Sequence, residues 1–319
     1  MQGLHLDRGA LRWRTDLPVP DPGPGEVCVQ VLRAGICATD LALQRGYMGF
    51  AGVPGHEFVG RALGGRHAGR RVVGEINAGC GTCEDCVAGD PRHCATRSVL
   101  GIAGRGGAFA ERLVLPEANL LPVPDSVGTD AATFTEPLAA AMQIQAQLAL
   151  PRGTPTLVVG DGKLGILCAH ALDAAGLQVT LCGRHPERQA LVPAARFVEG
   201  WVEDAGPPRA RFPLVVEASG NAAALPGALA HVAPRGTLLL KTTTESSVVL
   251  DAARIVVDEI RVQGSRCGRF APALAALAAG AFDVTGLIAA RYPLARGEAA
   301  FAHAASRGTL KVLLDVASE

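Results

Sequence analysis

A glycine-rich turn between an apolar strand and an apolar helix is the feature that most constrains the fold. The run Thr156-Leu-Val-Val-Gly160 leads into Asp-Gly162-Lys-Leu-Gly165, and a second apolar strand begins roughly twenty residues later. Glycines at this spacing permit a tight turn and let a pyrophosphate approach the N-terminus of the helix, where free amide groups bind anions. The segment predicts the start of a dinucleotide-binding parallel sheet; an ordinary strand-turn-helix unit is the alternative.

The end of the second strand indicates which dinucleotide is bound. An Asp or Glu there usually binds the adenosine ribose diol, but this chain has Gly183-Arg184-His185. An arginine pairs well with a 2'-phosphate, so we predict NADP rather than NAD, although Arg184 as a solvated surface charge is the alternative. Two later apolar strands end near Ser219 and Thr242. The candidate cofactor-binding residues are Gly160, Gly162, Lys163, Leu164, Gly165, Gly183, Arg184, His185, Arg188, Ser219 and Thr242.

Four closely spaced cysteines predict a structural metal site. They are Cys80, Cys83, Cys86 and Cys94. Four thiolates complete a tetrahedral shell around zinc and leave no position for substrate. The alternative, unliganded thiols on a loop, would expose a dense group of oxidisable side chains.

Composition excludes some classes of function. The 319 residues include 30 basic and 30 acidic side chains, and this balance argues against a nucleic acid or membrane surface as an electrostatic partner. The N-terminal residues lack a signal-peptide pattern, and no apolar run is long enough to span a membrane. We therefore expect a cytoplasmic protein, in which nine cysteines serve as metal ligands or free thiols rather than disulfides.

A second group of candidate metal ligands lies earlier in the chain. Cys37 occurs in Gly-Ile-Cys-Ala-Thr-Asp, and His56 and Glu57 occur in Pro-Gly-His-Glu, while Glu136 in Thr-Glu-Pro-Leu is a candidate fourth ligand. A thiolate, an imidazole and a carboxylate are the ligand types of catalytic zinc. Consecutive residues on a regular strand point to opposite faces, so His56 and Glu57 reach one metal only if the backbone is irregular, as Gly55 permits. By spacing alone, a buried thiol and a core histidine remain the alternative.

The order of these motifs resembles the zinc-dependent medium-chain dehydrogenase/reductase (alcohol dehydrogenase) superfamily, with the polyol, sugar and threonine dehydrogenase branch most similar in pattern. The resemblance implies an α/β fold that combines a chaperonin-10-like β catalytic domain with a Rossmann doubly wound parallel sheet. It places the catalytic domain at residues 1–136, with the structural zinc lobe at 80–94. The Rossmann domain would occupy residues 137–265, and residues 266–319 would return to the catalytic domain.

The same resemblance implies a mechanism. Catalytic zinc held by Cys37, His56 and a glutamate would act as a Lewis acid on the substrate oxygen, and the nicotinamide of NADP would accept hydride in the cleft between the domains. Thr39 matches the hydroxyl that binds the substrate oxygen and relays its proton. Asp40 would orient the ligand histidine, unless it serves only to cap a turn. Both Glu57 and Glu136 as ligands would place three negative charges with Cys37 on one divalent ion, so we expect one glutamate to be displaced.

Two departures from the family pattern limit these expectations. Alcohol dehydrogenases often carry a proton-shuttling histidine where this chain has Ala42, so the relay would end through water, a cofactor hydroxyl or another group. The stretch between Gly60 and Gly79 is short for the family, so the family pattern does not define the shape of the substrate pocket. The expected partner is a small alcohol or carbonyl compound, with no nucleic acid or membrane, in a dimeric or tetrameric homo-oligomer. The alternatives are a quinone or enone reductase without catalytic zinc and a zinc-lobed binding protein without enzymatic activity.

Overall fold

The structure is a computed structural model that describes residues 1–200, 211–243 and 247–317. The chain divides into two compact units. The first comprises Met1–Glu136 together with Arg269–Glu319, and the second comprises Pro137–Gly268.

The described residues form strands and helices throughout both units. The strands are β1 (Gly3–Asp7), β2 (Ala10–Arg14), β3 (Glu26–Gly35), β4 (Glu57–Ala62), β5 (Arg71–Gly74), β6 (Asn77–Ala78), β7 (Ser98–Leu100), β8 (Gly104–Arg105), β9 (Arg112–Pro116), β10 (Leu120–Pro122), β11 (Pro155–Val159), β12 (Gln178–Gly183), β13 (Arg196–Glu199), β14 (Phe212–Glu217), β15 (Val232–Leu240), β16 (Arg261–Gly264), β17 (Ile288–Pro293) and β18 (Lys311–Asp315). The α-helices are α1 (Ala38–Gln44), α2 (Glu84–Val87), α3 (Thr129–Ala132), α4 (Thr135–Gln147), α5 (Lys163–Ala174), α6 (Ala224–Ala230), α7 (Ala252–Val257), α8 (Phe270–Ala278) and α9 (Gly297–Ala305).

The first unit is built on a seven-stranded sheet in the order β10-β5-β4-β3-β18-β17, with β9 also paired to β3. Along most of β3, buried and half-buried residues alternate, as expected for a strand with one face on the core. The C-terminal strand β18 pairs antiparallel with the end of β3, and its residues Val312, Leu313 and Leu314 are fully buried. The last strand of the chain is therefore part of the core of the first unit.

The second unit contains a parallel sheet of six strands in the order β13-β12-β11-β14-β15-β16. Strands β11 and β14 are mostly apolar, and the last four residues of each are buried, because both faces of such a sheet are covered. The order reverses between β11 and β14, which is the doubly wound arrangement, and ligands of such sheets bind beyond the carboxyl ends of the strands at this point. The predicted α/β fold with a Rossmann sheet is confirmed.

None of the helices within the described ranges combines the length and apolarity needed to cross a bilayer. All nine cysteines lie within these ranges and are free thiols.

An aromatic pair fixes the core of the first unit. The rings of Phe109 and Phe301 meet edge to face with centroids 5.6 Å apart, and both side chains are buried. Phe109 lies in the loop before β9 and Phe301 lies on α9, so the pair joins segments that are far apart in the chain.

We expect Phe301→Ala to lower the free energy of unfolding by about 3–5 kcal/mol, because it leaves a cavity and removes the aromatic contact. Phe301→Leu retains most of the buried volume and is expected to cost less. Urea unfolding followed by circular dichroism measures both. The exposed Val19 provides the control: Val19→Ala is expected to change stability by less than about 0.5 kcal/mol, and equal effects of the two alanine variants would contradict the assignment.

Candidate metal centre and dinucleotide site

Cys37 lies where β3 has ended and α1 begins. Its amide donates a 2.8 Å hydrogen bond to Oδ2 of Asp40, three residues into the helix, so the carboxylate caps the helix start. The Oγ1 of Thr39 lies 3.8 Å from the Cys37 Sγ. The thiol and the hydroxyl are therefore held side by side by one turn of helix.

The backbone before β4 turns sharply, so that His56 and Glu57 reach the same place. Gly55 has φ +100°, and β4 begins only at Glu57. Ligand atoms of Cys37, His56 and Glu57 all lie within 4.8 Å of one another. The irregular backbone expected at Gly55 is confirmed, and consecutive side chains do face one point.

Tight backbone packing enforces this turn. A Cβ on Gly55 would lie 2.5 Å from the ring of Phe109, and Cβ atoms on Gly101 and Gly107 would lie 2.2 and 2.3 Å from the carbonyl oxygen of Gly55. Real Cβ atoms do not approach so closely. These three glycines therefore allow the close backbone packing around His56, because a side chain at any of them would clash.

Asp40 also faces His56. Its Oδ1 lies 3.3 Å from His56 Nδ1, and both residues are buried. Burial disfavours the charged imidazole, but the negative charges of Asp40 and Cys37 outweigh burial, and the pKa of His56 lies well above its usual value. Asp40 therefore combines the two roles weighed for it, because one oxygen caps α1 and the other faces the imidazole.

A buried lysine completes the group. Lys311, the first residue of β18, forms a salt bridge with Oε2 of Glu57, and both side chains are 1% exposed. Its ammonium also lies 5.7 Å from the ring centroid of Phe134. Burial lowers the pKa of Lys311, but the charges of Glu57, Cys37 and Glu136 raise it more, so the pKa lies above its usual value.

Glu136 lies in the first turn of α4, with Pro137 next to it, as predicted. It is buried and close enough to raise the pKa of Lys311. It does not belong to the group of ligand atoms within 4.8 Å of one another in the described part of the chain. The structure thus brings Glu57 and not Glu136 to Cys37 and His56, and ligation by Glu136 stays a prediction.

The donor set at this place fits a divalent metal. No hydrogen-bond partner among the described residues faces Oε1 of Glu57, although the atom is buried. A buried carboxylate oxygen without a partner is costly, and a cation bound by Cys37 and His56 would satisfy it. Soft sulfur, imidazole nitrogen and carboxylate oxygen together suit zinc.

The four-cysteine lobe is assembled as well. Sulfur atoms of Cys80, Cys83, Cys86 and Cys94 lie within 4.8 Å of one another. The Thr82 hydroxyl and amide donate to the Cys80 sulfur and lower the pKa of this thiol to about 5. The backbone of Cys86 favours the Cys83 thiolate, but the adjacent thiols outweigh it and raise the pKa of Cys83 to about 12. Neighbouring thiolates repel each other, and a divalent cation at their centre would remove that repulsion.

The glycine turn has the shape expected for a pyrophosphate site. Gly160 has φ +106°, and a Cβ on Gly165 would lie 1.8 Å from the Gly160 oxygen, so both positions require glycine. Among the residues that the structure describes, a Cβ on Gly162 would meet nothing within 4 Å, and no side chain caps the N-terminus of α5 there. The helix start is therefore open to an anion, and Lys163 and Leu164 form its first turn.

Ser219 and Thr242 follow the carboxyl ends of β14 and β15, and the Gly220 amide donates a 2.9 Å hydrogen bond to Oγ1 of Thr242. The Ser219 amide and hydroxyl donate to Oε1 of the fully buried Glu217. These residues and Gly160 thus lie at the same edge of the sheet.

The residues after β12 lie against the glycine turn. Arg188 is buried, and its Nη1 donates a 2.7 Å hydrogen bond to the carbonyl oxygen of Asp161. Arg184 and His185 are half-buried, and their amides donate to Oδ2 of Asp161 at 3.0 and 2.8 Å. The structure thus brings Arg188 to the glycine turn, so a direct contact of Arg188 with the cofactor stays a prediction.

Comparison with known proteins identifies the family. The model of the alcohol dehydrogenase GroES-like domain matches residues 23–125. An L-threonine 3-dehydrogenase of Streptomyces avermitilis is 33% identical over 95% of either sequence. The chain belongs to the medium-chain dehydrogenase/reductase superfamily.

Solved structures agree with this assignment. A zinc-binding dehydrogenase from Sinorhizobium meliloti, bound to NADP, matches with a TM-score of 0.87 and 26% identity over 98% of both chains. An alcohol dehydrogenase from Thermus sp. ATN1 matches with a TM-score of 0.88 and 26% identity over 99% of this chain and 100% of the other. The family predicted from the sequence is confirmed, and the chain is an NAD(P)-dependent enzyme of the alcohol dehydrogenase type.

Sequence reasoning missed two charged residues of this dehydrogenase. Lys311 begins a strand whose next three residues are apolar. A lysine buried at the start of such a strand needs a partner, which was the available signal. Asp161 lies between the first two glycines of the turn, where the motif specifies no residue type, so no local pattern indicated it.

We expect Lys311→Met to lower the free energy of unfolding of the dehydrogenase by about 3–5 kcal/mol, because it leaves the buried Glu57 carboxylate without its cation. Urea unfolding in zinc-containing buffer measures the loss. The double variant Lys311→Met with Glu57→Gln removes the unpaired charge and is expected to recover part of the stability. An unchanged midpoint for Lys311→Met alone would show that the pair is dispensable.

Proposed function

We propose that this dehydrogenase is zinc-dependent and transfers hydride between NADP(H) and a secondary alcohol, polyol or sugar. The observation that carries the proposal is the convergence of Cys37, His56 and Glu57, with one buried Glu57 oxygen lacking a partner among the described residues. Similarity to an L-threonine 3-dehydrogenase adds hydroxy amino acids, which also carry a secondary alcohol, to the substrates worth testing.

Cys37, His56 and Glu57 would hold the catalytic zinc. Bound there, zinc would act as a Lewis acid that polarises the substrate oxygen. Asp40 orients His56 through Nδ1, which leaves the other ring nitrogen for the metal. Lys311 binds one oxygen of Glu57 and offsets its negative charge. This ion pair fixes the orientation of the carboxylate, so that its other oxygen would be directed towards the metal.

We infer that the hydroxyl of Thr39 takes the substrate proton. It lies beside the Cys37 sulfur on a half-exposed turn of helix, so it can accept a proton from the substrate oxygen and donate its own to water. Ala42 offers no onward shuttle, so the proton leaves through water or a hydroxyl of the cofactor.

NADP would be held by the second unit and supply the hydride acceptor. The open N-terminus of α5 suits the pyrophosphate, and Ser219 and Thr242 lie at the same sheet edge. The NADP-bound relative from S. meliloti supports this cofactor, while NAD is the alternative.

The Cys37, His56 and Glu57 group favours this function over a metal-free quinone or enone reductase, which would have no use for a half-buried thiol beside a buried imidazole and carboxylate. Nine free cysteines support a cytoplasmic location, where thiols stay reduced. A homo-oligomer stays a prediction.

A panel of secondary alcohols, polyols, aldoses and L-threonine, assayed with NADP and with NAD, tests the proposed function. Reduced nicotinamide is followed by its absorbance. We expect at least one secondary alcohol to be oxidised, and faster with NADP. Inactivity of the zinc-loaded protein towards every member of the panel would refute the proposal.

We expect the purified protein to contain about two zinc ions per chain. Cys37→Ser is expected to lose one ion and all activity while the unfolding midpoint changes little, whereas Cys94→Ser loses the other ion and unfolds at lower urea because the lobe depends on its metal. Elemental analysis of gel-filtered protein measures both contents. A zinc content that Cys37→Ser leaves unchanged would exclude Cys37 as a ligand.

We expect Thr39→Ala to lower kcat by a factor of about 10²–10⁴, because the proton loses its first acceptor. Thr39→Ser retains the hydroxyl and is expected to retain most of kcat. Steady-state kinetics on the best substrate measures both variants, with zinc content as the control for folding. Equal kcat values for the two variants would show that another group takes the proton.

A further inference from the structure

The carboxylate of Asp161 occupies the space in which dinucleotide-binding folds usually carry an acidic residue at the end of the second strand. A Cβ on Gly183 would lie 2.3 Å from Cβ and from Cγ of Asp161. No side chain therefore fits at position 183 while Asp161 is present. In this chain the carboxylate at this place comes from the glycine turn and not from the end of the strand.

Both oxygens of this carboxylate already have partners within the protein. Asp161 is 7% exposed, and its Oδ2 accepts hydrogen bonds from the amides of Arg184 and His185 and lies 2.9 Å from His185 Nδ1. Its Oδ1 lies 3.4 Å from Nη1 of the buried Arg188. A carboxylate with these partners has little capacity left to accept the two hydroxyls of a ribose.

The charges at this strand end differ in their exposure. Asp161 and Arg188 are buried together and offset each other, while Glu187 and Glu199 are exposed and screened by water. Arg184 and His185 are half-buried, and Asp161 fixes the backbone of both. The guanidinium of Arg184 and the imidazole of His185 are therefore carried on backbone that Asp161 holds in place.

We propose that Asp161 is a positioning residue for cofactor specificity, because it holds the segment 184–188 so that Arg184 and His185 face the 2'-phosphate of NADP. It also fills the space at the end of β12 that an acidic side chain would need in order to bind the ribose hydroxyls of NAD. This inference rests on the dinucleotide-binding role proposed above. Asp161 acts through its neighbours and does not itself bind the ribose.

The test is the ratio of NADPH to NADH affinity, measured on the full-length zinc-loaded protein by nicotinamide fluorescence. We expect Asp161→Ala to weaken NADPH binding about tenfold or more while NADH binding changes less, because the charge-assisted bonds that fix the segment are lost. Asp161→Asn keeps an acceptor oxygen for the two amides and is expected to retain part of the preference. Asp173→Ala, at an exposed position of α5, is the matched control and should leave the ratio unchanged.

A reciprocal exchange tests the steric half of the inference. Gly183→Asp alone is expected to lose binding of both dinucleotides, because two side chains compete for one space. Combined with Asp161→Gly, it moves the carboxylate to the strand end, and we expect the double variant to bind NADH more tightly than NADPH. Thermal unfolding of each variant separates loss of folding from loss of binding.

Two results would overturn the inference. Tighter NADPH binding by Asp161→Ala would mean that the carboxylate repels the phosphate and reads the ribose directly, and an unchanged ratio would mean that it has no part in specificity. Both differ from failure of the proposed function, in which the wild-type protein would bind neither reduced dinucleotide.

Discussion

The ion pair between Lys311 and Glu57 is the constraint on which the rest of the first unit depends. Removing two charges from water costs several kcal/mol per ion unless each is fully partnered, so the structure has to deliver both side chains to one point. It does so by pairing β18 with β3 and β3 with β4. The C-terminal residues of the chain are thereby required for the geometry of a site whose other members lie near the N-terminus.

The two candidate metal sites differ in how their residues are brought together. The four cysteines lie within fifteen residues of one another, counted from Cys80 to Cys94, and amides of the same loop stabilise their sulfurs. The catalytic group draws on the end of β3, the start of β4 and, through Lys311, the last strand. A local site can form as soon as zinc is present, whereas the catalytic group needs the whole sheet.

This difference explains what could be predicted from the sequence. The cysteine lobe and the glycine turn follow from residues a few positions apart, so local spacing predicts them. The pair of His56 with Glu57 was predicted from the order of motifs along the chain, because spacing alone left a core histidine as the alternative. Lys311 and Glu57 are separated by 254 positions, and no local pattern joins them. Arg188 was a candidate cofactor-binding residue because its position after β12 is visible in the sequence. Its burial against Asp161 depends on the folded glycine turn, which the sequence does not define.

The three glycines around His56 have a consequence for mutational tolerance. Gly55, Gly101 and Gly107 supply no ligand, proton or charge, yet each lacks the room for a single methyl group. In a saturation scan we expect these glycines to tolerate substitution as poorly as Cys37 and His56. A position in such an enzyme can therefore be intolerant of substitution either because its side chain reacts or binds metal, or because no space exists for a larger side chain. A search for reactive groups finds only the first kind.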